Sequence, residues 1–357
     1  MARSSNSTSR RLAFLLVSAL AVFSPIAHSL PLPDTGAGGE LSADFHANSC
    51  PQLEGIVRSA VQAALQREVA LAAGLLRIFF HDCFPQGCDA SVLLRDGIQR
   101  KSEQAMGPNS TLQKAALKLI DDIRAKVHAA CGPTVSCADI TALATRDAVV
   151  ASGGPSYAVP QGQRDSFAPA LESDVNALPS PFTASVRDLL DAFKLKGLGD
   201  AADLVALSGA HTVGRAHCDF FSDRAGRQDD TFSRKLAANC SRDPSRIQNL
   251  DVRTPDAFDH AYFVDLTFNQ GVFTSDMALI KDRGTARIVK QFAQSKDAFF
   301  AQFAKSMIKL SMVPRKPAGN VGEIRRISCF RPNAAGSILD SEVDVDAAGA
   351  EGFAASA

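Results

Sequence analysis

Neither charge is in surplus, since 38 Lys and Arg are matched by 38 Asp and Glu. A nucleic-acid partner would require a clustered basic excess, so none is expected. Gly and Pro, 24 and 17 of 357 residues, are too few for a collagen-like or low-complexity chain, and no repeat of fixed period runs through it. Fibrous, solenoid and wholly disordered folds are thereby excluded. No stretch after the N-terminal segment approaches about 18 uncharged apolar residues, so no membrane span is expected. Strand-like alternation is scarce, which points to a mainly α fold. The absence of any Cys-x-x-Cys pair disfavours a zinc site.

The N-terminus places Arg3, Arg10 and Arg11 before an apolar run from Leu12 to Phe23, followed by Ala27 and Ser29 at small-residue spacing. This pattern predicts a secretory signal peptide over residues 1–29, cleaved after Ser29. Residues 332–357 carry Asp340, Glu342, Asp344, Asp346 and Glu351 among Ala, Gly and Ser, with no Lys or Arg beyond Arg331. They are expected to form an acidic flexible tail. Eight cysteines entering an oxidising compartment predict four disulfides. Spacing leaves on the order of a hundred connectivities open, although Cys83 and Cys88 are close enough to staple one tight loop.

Apolar residues recur at helical spacing over 53–69, 69–84, 112–130, 136–151, 184–194, 201–208 and 285–312. Between them stand turn signals such as GGPS at 153–156, Pro179 and Pro181, and KGLGD at 196–200. The reading is a mainly α body with little β, in one unit or two halves with a deep interface where a cofactor would sit.

In LLRIFFHDCFPQGCDAS, residues 75–91, Arg77 and His81 lie four apart, so a helix presents a fixed cation and a titratable imidazole on one face beside Phe80. Such a pair suits a cavity that handles a polar reactant, whereas an isolated R-x-x-x-H is more often a surface Arg and a packed His. Asp82, Asp89 and Ser91 around the Cys83 and Cys88 pair offer hard oxygen donors for calcium, or else a solvated acidic turn. In LVALSGAHTVGRAHC, residues 204–218, His211 could be a ligand or a core histidine. Downstream, Asp251, Thr254 and Asp259 form a second oxygen-rich loop that could hold a cation with Thr212.

The motifs RIFFHDCF, GCDAS, GGPSYAVPQGQRDS, DLVALSGAHTVG, TPDAFD and GEIRRISC occur together and in order. On these residues the chain resembles the secretory plant haem peroxidases, class III, from about Leu41 to Arg331. The resemblance implies the haem peroxidase fold over 30–331, two helical halves enclosing haem b. It also implies a secreted peroxidase that reduces H2O2 to water while oxidising small phenols by one-electron steps. His211 would be the axial ligand of haem iron and Asp276 the acceptor of its other ring proton. His81 would act as base and then acid on peroxide, Arg77 would stabilise developing charge, and Asn109 would orient His81. Phenols would meet the haem edge near Pro160. Two calcium ions are implied. The first would be held by Asp82, Asp89, Ser91 and the carbonyls of Pro85 and Gly87, with Glu103 through water. The second would be held by Thr212, Asp251, Thr254, Asp259 and the Ala257 carbonyl. The implied disulfides pair Cys50 with Cys131, Cys83 with Cys88, Cys137 with Cys329, and Cys218 with Cys240. A monomer is implied, in the extracellular space or cell wall, with the acidic tail making the vacuole an alternative.

Departures from the family pattern are Ala70 and Gln163, where Arg is frequent, and Tyr157 in a chain without Trp. Beyond the predicted leader two glycosylation sequons occur, at Asn239 and at Asn109, the second in conflict with a buried distal Asn109. Two other functions compete with the peroxidase reading. One is a secreted binding protein that kept the fold and lost activity, against which stand Arg77, His81, His211 and Asp276 together. The other is a carboxylate hydrolase using Asp82 and Asp89, which are better placed to hold a cation than to flank a glycosidic bond.

Overall fold

The computed structural model describes residues 41–95, 101–227, 230–241, 243 and 246–333. The predicted leader, 1–29, and the tail beyond residue 333 lie outside the described residues. Twelve α-helices occur among the described residues, beginning with α1 Leu53–Leu65, α2 Leu71–Gln86, α3 Lys114–Cys131 and α4 Cys137–Ala151. They continue with α5 Glu172–Val175, α6 Val186–Lys194, α7 Ala201–Ser208 and α8 Thr231–Cys240, then α9 Ala261–Thr267, α10 Thr274–Lys281, α11 Arg283–Gln294 and α12 Lys296–Ser311. One short antiparallel pair, β1 Arg215–His217 and β2 Ile247–Asn249, is the sheet found among the described residues, beside five short 3-10 turns. The mainly α expectation holds, and no described helix is long and apolar enough to cross a membrane.

Helices α1 to α4 pack on one another as one half; in the other, α7 packs on α11 and α12, and α9 packs on α11; α12 also touches α2. The central position of α2 follows from its composition. LAAGLLRIFFHDCFPQ is apolar on nearly every face, and all of it except Phe80 is buried. A helix that is apolar all round belongs in the middle of a core. It ends at Gly87, whose φ of +89° favours glycine. A Cβ at Gly87 would also stand 2.8–2.9 Å from Arg315 and the Val313 carbonyl.

The pattern over 285–312 is not one helix but two. Ser295 is extended, with φ −143° and ψ 102°, and its hydroxyl accepts the Ala298 amide at 3.1 Å. That cap restarts the helix and turns the chain. The apolar periodicity does not reach α5, α8, α9 and α10, although it finds α6 and α7, which are also short. Four disulfides tie Cys50 to Cys131, Cys83 to Cys88, Cys137 to Cys329 and Cys218 to Cys240.

Candidate active site

A cavity of about 420 Å³ opens between the halves. Arg77, Phe80 and His81 of α2 form one wall; Leu204 and Leu207 of α7, with Ala210 and His211 from the turn after it, form another. Its size falls in the roughly 300–1,000 Å³ range of cofactor sites, and its walls are mainly apolar.

On the α2 side, one loop holds both polar residues. His81 Nδ1 and Asn109 Oδ1 are 2.6 Å apart. Arg77 donates to the Pro108 carbonyl at 2.8 Å, to the Thr111 carbonyl at 2.9 Å and to the Thr111 hydroxyl at 3.1 Å. Because Asn109 Oδ1 can only accept, Nδ1 carries the proton and Nε2 is left as a base. Burial, and next the Arg77 charge, depress the His81 pKa to about 3, while the Asn109 bond opposes them. Burial lowers Arg77 to about 9. At neutral pH the pair is thus a neutral imidazole beside a cation. Asn109 is 1% exposed, which leaves no room for a glycan on that sequon in the folded chain.

Across the cavity, Gly209 lets the turn bearing His211 press onto the core. A Cβ there would come within 2.5–2.8 Å of Phe263 and Phe299. Those rings belong to a cluster with Phe258, Phe292 and Phe303, in which each aromatic pair contributes about 0.5–1.5 kcal/mol beyond area burial. His211 Nδ1 donates to Asp276 Oδ1 at 2.9 Å, so Nε2 remains to offer a lone pair. Tyr262 donates to the same oxygen at 2.8 Å, and Asp276 Oδ2 accepts the Phe273 amide at 2.9 Å. The two imidazoles line one slot, one held by an amide oxygen and the other by a carboxylate.

Beside α2, Asp82 Oδ2 accepts the amides of Asp89 and Ala90 at 3.2 and 3.0 Å. Asp89 accepts the Ser91 amide and the Gln86 side chain at 3.0 and 2.8 Å. Glu103 accepts the Ala170 amide at 2.7 Å. Asp82 Oδ1 and Glu103 Oε2 are buried without a partner. Burial, with the Asp89 charge next, pushes Asp82 well above the usual carboxylate range, and burial lifts Glu103 to about 7. Orphaned acid oxygens of this kind are the chemistry a hard cation satisfies. One departure stands out: Lys196 Nζ donates to the Pro85 carbonyl at 2.6 Å, taking one lone pair of an expected ligand.

Behind His211, the Thr212 hydroxyl is 3.0 Å from Asp251 Oδ2 and 3.4 Å from Asp259 Oδ1. The Thr254 hydroxyl is 3.5 and 3.1 Å from the same two oxygens. Four side-chain oxygens therefore converge, and Ala257 lies on the same loop. Among the described residues no three His, Cys, Asp or Glu side chains form a metal cluster by themselves. At either place a cation would draw on carboxylates, hydroxyls and carbonyls together, as calcium does.

Pro160 requires correction. It is buried beside the bridge between Ser42 and Gln161 and does not line the cavity. The stretch that reaches the opening is Pro179 to Phe182, with Phe182 43% exposed. Gln163 is not among the residues that line the cavity; its amide donates to the Ser311 carbonyl at 3.0 Å, a structural tie. Sequence reasoning missed Tyr262, Thr111 and Lys196, whose roles come from folding and have no local motif.

A buried helix carrying a neutral base and a cation, facing an imidazole backed by a carboxylate across an apolar slot, defines an oxidoreductase pocket of the haem-dependent kind. The chain belongs to the peroxidase family: the family model described as Peroxidase matches residues 57–295. It is 49% identical over 307 residues to Cationic peroxidase SPC4 of Sorghum bicolor, covering 84% of each chain. It is 46% identical over 292 residues to Peroxidase 12 of Arabidopsis thaliana, covering 80% of this chain and 81% of the relative. Peroxidase 66 of Zea mays is 42% identical over 304 residues, covering 84% and 92%. The chain is thus a class III plant peroxidase, an oxidoreductase, and an inactive binding protein is not favoured. Membership implies haem, calcium, peroxide and a reductant in general.

Proposed function

We propose that the chain binds haem b between His81 and His211 and reduces H2O2 at the expense of small phenols. The observation that carries this reading is the pair of imidazoles lining one apolar cavity with their Nδ1 atoms engaged by Asn109 and Asp276. Haem, when bound, supplies an iron that takes up peroxide and returns two oxidising equivalents one electron at a time. His211 Nε2 would hold the iron, and Asp276 would strengthen that nitrogen as a donor. His81 Nε2 takes the proton of incoming peroxide and returns it to the leaving oxygen. Arg77, fixed by Pro108 and Thr111, stabilises the negative charge on that oxygen as the O–O bond breaks. The apolar walls exclude bulk water and favour a flat aromatic donor, which enters past Pro179 and Phe182. Two calcium ions, one in each oxygen-rich loop, hold the segments that carry His81 and His211. One chain completes the cavity, so a monomer suffices, and the leader directs it to the cell exterior or, with the tail, to the vacuole.

The pH profile tests the base. Protonation of His81 removes its lone pair, so the second-order rate with peroxide should stay level from neutral pH down to about 4. It should then fall to half near pH 3. Stopped-flow measurements across pH 2.5–8, on protein shown to remain folded, would contradict the assignment if the rate halved near the ordinary histidine value of about 6.5 instead.

A further inference from the structure

The least expected feature of the site is the second donor on Asp276. Its Oδ1 accepts from both His211 Nδ1 at 2.9 Å and the Tyr262 hydroxyl at 2.8 Å, while the Phe273 amide takes Oδ2 at 2.9 Å. Asp276 is 2% exposed and Tyr262 1%, so the contest for this oxygen is decided inside the protein. We propose that Tyr262 is a positioning residue that draws charge from Asp276 and thereby raises the reduction potential of iron held by His211. This inference rests on the reading of His211 as the axial ligand.

Each hydrogen bond to an ionised carboxylate stabilises its charge and lowers its pull on any other donor. With Tyr262 bonded, Asp276 draws less on the Nδ1 proton, and the opposite nitrogen carries less anionic character toward a metal. A weaker anionic donor stabilises oxidised iron less, which moves the couple upward. Burial and the Asp276 charge both push the Tyr262 hydroxyl well up, so it remains a donor throughout the working pH range. Its position is fixed. The ring meets His211 edge-on at 5.8 Å and Phe263 at 5.0 Å, and the residue before it is tied down by Asp259 Oδ1, which accepts the Ala261 amide at 2.7 Å. The loop proposed to hold a cation therefore also anchors the tyrosine that tunes His211.

The test is the ferric/ferrous midpoint potential of the haem-loaded full chain, alongside the iron–histidine stretching band. Tyr262→Phe should lower the potential by at least a threefold change in the equilibrium constant, about 28 mV at 59 mV per tenfold. The stretching band should rise in frequency in that variant. Asp276→Asn should move the potential the opposite way, so that from high to low the order is Asp276→Asn, parent, Tyr262→Phe. Only two tyrosines occur, so fluorotyrosine can replace Tyr262 alone in a Tyr157→Phe background. That more acidic phenol should raise the potential without altering shape. A merely structural bond would shift the melting temperature and leave the potentials alone. Unchanged or more positive values in Tyr262→Phe, with the iron–histidine band present in the parent, would overturn this proposal but not the axial role. Absence of that band in the parent would overturn both.

Discussion

His81→Ala should slow the reaction with peroxide by roughly 10²–10⁴-fold, the range contributed by a positioned acid–base group. Haem uptake should persist, because the His211 and Asp276 pair on the opposite wall is untouched. The variant loses the proton acceptor and later donor together, and it leaves Asn109 Oδ1 without its 2.6 Å partner in a buried place. Arg77 keeps its bonds to Pro108 and Thr111, so some stabilisation of the leaving oxygen remains and the rate does not fall to that of free haem. Single-turnover mixing with peroxide measures the effect. A rate within a few fold of the parent would exclude His81 as the base.

Removing calcium should have the second large effect, on stability more than on chemistry. Asp82 Oδ1 and Glu103 Oε2 are buried without partners, and the Asp82 and Asp89 carboxylates raise one another's cost of ionisation. A bound dication offsets that cost, so its loss returns it. At a free calcium concentration 100 times Kd, each site stabilises by about 2.7 kcal/mol. By the scaling for domains of about 150–250 residues each kcal/mol shifts the melting temperature by about 2–4 °C, so a chelator should lower it by about 10–20 °C if both ions leave. Calorimetry with chelator and with calcium restored reads this, and elemental analysis should find two calcium ions per chain. A chain free of calcium with an unchanged melting temperature would contradict the proposal. Asp82→Asn should lose about one ion and half of the shift.

Much of the arrangement was legible because its signals are local. The four-residue spacing of Arg77 and His81 places them on one face of any helix, and α2 is central because the rest of it is almost wholly apolar. The oxygen-rich loops were readable for the same reason, each lying within a short segment. What spacing could not show was the meeting of distant segments. Residues 77 and 81 are tied to 108–111, and 211 is tied to 262 and 276, by folding alone. The family motifs bridged some of that distance and not all of it. They link His211 to Asp276 but carry no sign of Tyr262, and within them Pro160 is buried away from the cavity lining whereas Pro179, outside them, is part of it. The split at Ser295 shows the same limit, since one capping hydroxyl outweighs a continuous apolar periodicity.

The most direct test is haem loading of the secreted, disulfide-bonded chain and of its His211→Ala variant. Binding is followed by the haem absorption band, and turnover by peroxide-driven oxidation of guaiacol. The parent should take up one haem per chain and oxidise guaiacol only when peroxide is present. The variant should lose the axial bond and nearly all turnover while keeping its fold by circular dichroism. A folded parent that takes up no haem, or a His211→Ala variant with parental haem binding and activity, would contradict the account.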